Sequence, residues 1–171
     1  KKYFPYTRLF WNEGCYETFG ASQYTGDKSI YYLMLKRWLN EGTPIEGIGM
    51  QFHACTSNET SELAVYNPYR AMDIFRLYSE FKLPIHLSEI TIPAVDDSPA
   101  EQEKQARLVR DNYRLWFSWP SIYRITFWNI VDYTNHAESL SSGLFTKDMK
   151  KKATTQTKQL AYTNTMTKLY Q

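Results

Sequence analysis

Short apolar runs alternate with longer stretches of helical periodicity along the chain. "YTRLFWN" (6–12) is strand-like. In "DKSIYYLMLKRWLNEG", Ile30, Leu33, Met34, Arg37 and Trp38 fall at helical spacing, and Gly42 suits the position just past a helix end. "PIEGIGMQFHA" (44–54) reads as a second strand. In "NPYRAMDIFRLYSEFK", Ala71, Ile74, Phe75, Tyr78 and Phe81 share one helical face, and Asn67–Pro68 is a helix start. The third strand, 84–92, carries Ile85, Leu87, Ile90 and Ile92, with Glu89 set among them. "SPAEQEKQARLVRDNYRLWFS" opens with a capping box of Ser98, Pro99 and Glu101, and its apolar face runs Ala106, Val109, Tyr113, Trp116, Phe117. "YRITFWNIV" (123–131) is the fourth strand, and the Thr-rich tail from about 153 to 170 is predicted helical.

The predicted order is therefore β-α-β-α-β-α-β-α. Strand starts recur roughly every 38 to 39 residues, a βα-unit length suited to a parallel sheet with crossover helices. The strands read as near-continuous apolar runs, as when both faces are covered. An open doubly wound sheet and part of a (β/α)8 barrel both fit. No Gly-rich phosphate loop follows a strand, and the glycines of "GIG" (47–49) lie inside one, where close packing explains them.

At 171 residues the chain is long enough for one domain with a core. Its 14 Tyr, 9 Phe and 5 Trp suit either core filling or the binding of flat sugar faces. The net charge of +2, with both signs interleaved, argues against a nucleic-acid surface. The basic run 147–152 reads as a solvated turn. No apolar run nears the ~18 residues of a membrane span. Cys15 and Cys55 are compatible with a bridge or with free thiols.

The carboxyl end of each predicted strand finishes in hydrogen-bonding side chains: Asn12–Glu13, Gln51 and His53, Ser88–Glu89, and Trp128–Asn129 followed by Asp132. In parallel α/β folds those ends converge on one rim, where sites are built. Glu89 is the sharpest, because a carboxylate in an apolar strand needs a partner and no Lys or Arg adjoins it. His53 on the neighbouring strand could hold it, leaving an oriented carboxylate suited to act as nucleophile or base. His86, three residues earlier, is predicted by side-chain alternation to face the helices. The histidines His53, His86 and His136 show no paired metal-ligand spacing, and no G-x-S-x-G elbow occurs.

"GTPIEGIGMQFHA", "LPIHLSEITIPA", "ITFWNIVD" and "SGLFTKDMKKKATTQ" together resemble the second half of glycoside hydrolase family 10, the β-xylanase family, and "TRLFWNEG" resembles its fifth strand. The resemblance covers nearly the whole chain in the family's order. It implies a (β/α)8 TIM barrel of which residues 1–171 supply about four βα units, the C-terminal half of the catalytic domain. It implies retaining cleavage of a β-1,4-linked polysaccharide, xylan by default. Position by position, Glu89 resembles the nucleophile, His53 the histidine bonded to it, Gln51 a residue near the sugar, and Trp128 the sugar platform. Asn12 matches a more peripheral asparagine, and Asn129 joins it as a candidate substrate contact. No cofactor, metal, nucleic acid or membrane is implied.

The family's first four strands, and the glutamate that serves as acid/base, have no counterpart here. Glu13 is the tempting substitute, but its spacing suits the fifth strand. A complementary N-terminal half-barrel, as a separate chain or segment, is expected to supply the acid; a glycan-binding member with impaired catalysis is the alternative. "HLSEIT" departs from the family's commoner T-E-L-D form, and Tyr133 and His136 stand where a tryptophan is usual. The start at Lys1, compatible with a removed leader, sets the expectation of a secreted, periplasmic or cell-surface protein.

Overall fold

The computed structural model describes residues 2–14, 26–53, 67–134 and 141–154. In order come β1 (Phe10–Glu13), α1 (Ile30–Asn40), β2 (Gly47–Met50), α2 (Pro68–Ser79), β3 (Ile85–Ile90), α3 (Pro99–Phe117) and β4 (Ile122–Phe127), with one 3-10 turn at Gly26–Lys28 before α1. The four strands form one parallel sheet in chain order, β1-β2-β3-β4.

Local signals account for the helix ends. Asn67 Oδ1 accepts from the backbone N–H groups of Tyr69 and Arg70, with Pro68 following at the first helical position. Ser29, unnoticed in the sequence, caps α1 through Tyr32 N–H. Gly42, at φ +79°, closes α1: its N–H bonds the Leu39 carbonyl and Thr43 N–H bonds that of Trp38. Ser98 caps α3 as expected, but the box is opened out. Glu101 reaches past Ser98 to Val95 N–H, and Asp96 takes the Ser98 N–H instead.

All three helices pack on one face of the sheet. Ile48, Met50, Ile85, Leu87 and Ile90 form a single core with Tyr31, Leu35, Phe75, Tyr78, Val109 and Trp116. Helices on one side and sequential strand order are the arrangement of a (β/α)8 barrel segment, not of a doubly wound sheet. The opposite face is not apolar, contrary to the reading of doubly covered strands. It carries Phe10, His86, Arg124 and Thr126, with Phe10 stacked on a Tyr123 that is 60% exposed. Gly47 and Gly49 make room there. A Cβ on either would collide with Phe10 or Asn12 lying across β2.

Several predicted limits and faces change. Tyr6 is 99% exposed because Thr7 N–H turns back to the Phe4 carbonyl around Pro5, so β1 begins only at Phe10, opposite Gly47. On α1 the predicted stripe Ile30, Leu33, Met34 faces outward, and Tyr31, Tyr32 and Leu35 are buried. The tyrosines win because their hydroxyls find partners inward: Tyr31 lies 2.8 Å from the Trp11 and Gly49 carbonyls, and Tyr32 donates to Glu80. β4 stops at Phe127, since Ile130 turns to accept from Leu144 and Phe145 N–H. The predicted last helix is described only at Ala153 and Thr154.

Candidate active site

Backbone pairing continues one step beyond the strands and gathers their carboxyl ends. Gln51 N–H bonds the Glu13 carbonyl, Glu89 N–H that of Gln51, and Trp128 N–H that of Ile90. Asn12, Gln51, Glu89 and Trp128 thus stand along one rim.

The end of β3 departs from simple alternation. Leu87 pairs with Ile125 and Ile90 with Phe127, so β3 spends one more residue than β4 between those pairs. Leu87 and Ile90 both enter the helix-side core, which leaves Ser88 and Glu89 together on the other face. His86 lies on that face too. The expectation that it faces the helices fails because alternation was counted through the bulge. His86 Nε2 bonds Thr126 Oγ1 at 2.9 Å, and its ring stands edge-on to Phe10. Burial, then the neighbouring Arg124, holds its imidazole below the ordinary range, with Glu89 opposing.

Both carboxylate oxygens of Glu89 are held. Asn12 Nδ2 donates to Oε1 at 3.0 Å, and His53 Nε2 lies 3.1 Å from Oε2. The Glu89 side chain retains 17% exposure and that of His53 4%. Among the described residues no Lys or Arg pairs with Glu89. His53 reaches it because Phe52 adopts a left-handed φ of +61°, uncommon for a bulky residue and costing about 1–2 kcal/mol. That turn sends the Phe52 ring against Phe75 and Trp116 while the next side chain swings back over the rim. Behind His53, Nδ1 lies 2.8 Å from Thr91 Oγ1, and Thr91 is fully buried. Beyond Asn12, Ser88 Oγ donates to its Oδ1 at 2.5 Å. Trp128 stands edge-on to His53, with centroids 5.9 Å apart, and is 47% exposed. The result is an oriented carboxylate at a partly open rim beside an exposed indole, an arrangement able to attack an electrophilic carbon in a ring resting on that indole.

The remaining predicted residues divide. Gln51 is half-buried at the rim beside Glu89. Asn129 is 3% exposed and donates to Ser142 Oγ at 2.6 Å, so its amide anchors the 141–145 segment. Glu13 lies on the strand face opposite Asn12 and accepts from the adjacent Gly14 N–H. Asp132 is buried, and Lys152, expected in a solvated turn, is its buried partner at 3.0 Å. Lys147, Lys150 and Lys151 are exposed as predicted. His136, Cys15 and Cys55 fall outside the described residues. Among those described, no group of three or more His, Cys, Asp or Glu is placed to hold a metal ion.

Sequence reasoning placed Ser88 at the rim without a role, read Lys152 as part of a solvated turn, and missed Thr91. Thr91 had a usable signal, since it stands two residues after Glu89 and so returns to the same side of the chain.

A family model described as Glycosyl hydrolase family 10 matches residues 1–160. Endo-1,4-beta-xylanase A of Caldicellulosiruptor saccharolyticus is 26% identical, with 66% of this chain and 39% of that protein covered. Among solved structures, xylanase 10B from Thermotoga petrophila, in complex with xylobiose, superposes with a TM-score of 0.72 at 18% identity, over 94% of this chain and 48% of that one. An intracellular xylanase from Thermoanaerobacterium saccharolyticum gives 0.69 at 23% identity, over 90% and 44%. At these identities the structures speak for the fold. The chain spans less than half the length of each of these relatives.

Proposed function

Since the chain belongs to glycosyl hydrolase family 10, we propose that it carries the nucleophile half of a retaining β-glycosidase acting on a xylan-type β-1,4-linked backbone. The observation that carries this reading is the doubly held Glu89. An N–H from Asn12 and the imidazole of His53 fix its two oxygens beside the exposed Trp128. Glu89 would attack the anomeric carbon, forming a glycosyl ester as the bond to the leaving oxygen breaks. A second, protonated carboxyl would deliver the proton to that oxygen and then take one from the water that cleaves the ester. Retention needs the two carboxyls about 5–5.5 Å apart, so a rigid strand end suits Glu89 better than a loop.

Glu13 points away from Glu89, and the acid is assigned to a complementary N-terminal half of the barrel. Two features support that assignment. The polar and aromatic sheet face is only partly covered, and β1 and β4 each have one strand neighbour among the described residues. The same absence of a second carboxyl bonded to Glu89 among the described residues favours, as second reading, a glycan-binding member with impaired catalysis.

Xylan and an aryl β-xyloside with a good leaving group together separate them, because only xylan needs the acid to protonate its leaving oxygen. Turnover of the activated substrate, lost by at least about a thousandfold in Glu89→Gln with sugar binding and circular dichroism unchanged, is the expected result. Normal turnover by Glu89→Gln would overturn the role of Glu89. Turnover of the activated substrate without hydrolysis of xylan would favour the second reading, and sugar binding without turnover of either would overturn the role of Glu89.

A further inference from the structure

Each group that holds Glu89 also has an acceptor, and the acceptor-only carboxylate favours the orientation that gives it a donor. An asparagine amide presents N–H or oxygen depending on its flip, and a neutral imidazole has one N–H that can sit on either nitrogen. The groups behind Asn12 and His53 can reinforce that orientation, and the donor inventory identifies them. Thr91 is fully buried, and His53 Nδ1 is the hydrogen-bond partner of its hydroxyl among the described residues. If Nδ1 carried the proton and donated to Thr91, the hydroxyl hydrogen would be stranded in a dry site, and the Nε2 lone pair would face the Glu89 carboxylate. If the hydroxyl donates to Nδ1 instead, its proton is used, and Nε2–H points at Oε2. A stranded buried donor is costly, so the second arrangement prevails. On the other side, at a more exposed position, Ser88 Oγ donates to Asn12 Oδ1 while Asn12 Nδ2 donates to Glu89 Oε1, so the amide is held at both of its ends.

We infer that Thr91 and Ser88 are positioning residues that set the hydrogen-bond polarity toward Glu89, Thr91 by locking His53 as the neutral Nε2–H tautomer and Ser88 by fixing the Asn12 amide. Both hydroxyls come from the end of the strand that carries Glu89, so the carboxylate and the groups that orient its partners move as one unit. The inference rests on the proposed role of Glu89 for its catalytic consequence, though not for the tautomer itself.

The test is nitrogen-15 NMR of the histidines in the full chain at neutral pH, with His53 assigned by its loss in His53→Gln. The expected spectrum has a protonated Nε2 and an unprotonated, hydrogen-bonded Nδ1. The Nδ1–H tautomer or an imidazolium at His53 would overturn the inference, whether or not the protein hydrolyses sugars. Thr91→Val should replace the single tautomer by a mixture and lower kcat/KM on the activated aryl xyloside about tenfold, the scale of one misdirected hydrogen bond. Thr91→Ser should restore the tautomer and bring the rate within about threefold of the parent. A Thr91→Val protein that keeps the Nε2–H signature would refute the lock. If Thr91→Val fails to fold, the wild-type and Thr91→Ser spectra still decide. A correct tautomer with no hydrolysis in any variant would count against the glycosidase reading and leave the polarity assignment standing.

Discussion

Replacing Lys152 by methionine should destabilise the protein more than replacing Lys152 and Asp132 together. The ammonium and carboxylate are each 1% exposed and 3.0 Å apart. Nζ also donates to the Ser141 carbonyl at 3.3 Å and to Ser141 Oγ at 2.9 Å. Asp132 Oδ1 accepts in addition from Gly143 N–H at 2.6 Å, while Oδ2 is buried without a hydrogen-bond partner. Lys152→Met keeps the volume of the stem and leaves that carboxylate buried and uncompensated, a loss of about 3–5 kcal/mol. Adding Asp132→Asn removes the charge and preserves an acceptor for Gly143. The remaining loss is then the two bonds to Ser141, about 1–3 kcal/mol together. Denaturant unfolding at constant m reads both, and the cycle should give a coupling of at least about 1 kcal/mol. A Lys152→Met protein within about 1 kcal/mol of the parent, or additive single losses, would refute the picture of a desolvated pair. The outcome bears on the site because Ser141 also bridges Ala94, three residues beyond Thr91, and so ties the segment after β4 to the end of β3.

Trp128→Ala should weaken binding of xylo-oligosaccharides roughly tenfold by calorimetry without altering the fold, since the indole is half exposed. Gly49→Ala should lower the unfolding midpoint by the equivalent of about 1–3 kcal/mol and depress turnover, because its Cβ would push on the Asn12 side chain that serves Glu89. His86 has a folded value below its ordinary 6.5, so the unfolded chain takes up this proton first as pH falls. Its contribution to stability is complete above about 6.5 and declines below it. Chemical denaturation across pH 5 to 7 should show that decline, and His86→Gln should flatten it.

The βα alternation, the caps at Asn67 and Ser98, the Gly42 stop and the placement of Glu89, His53 and Trp128 at strand ends were legible in the sequence. Each depends on interactions within a few residues, or on the rule that parallel strands bring their carboxyl ends to one rim. Side-chain direction was not legible in the same way. Which stripe of α1 is buried was decided by carbonyls of β1 and β2 that the Tyr31 hydroxyl reaches. His86 and Glu89 share a face because β3 slips against β4, and a slip belongs to a pair of strands rather than to either alone. Lys152 is buried because Asp132, twenty residues earlier, meets it in space. Periodicity and capping report what a segment can do by itself. Polarity, register and burial are set by partners distant in sequence, and only the folded chain brings those partners within a hydrogen bond.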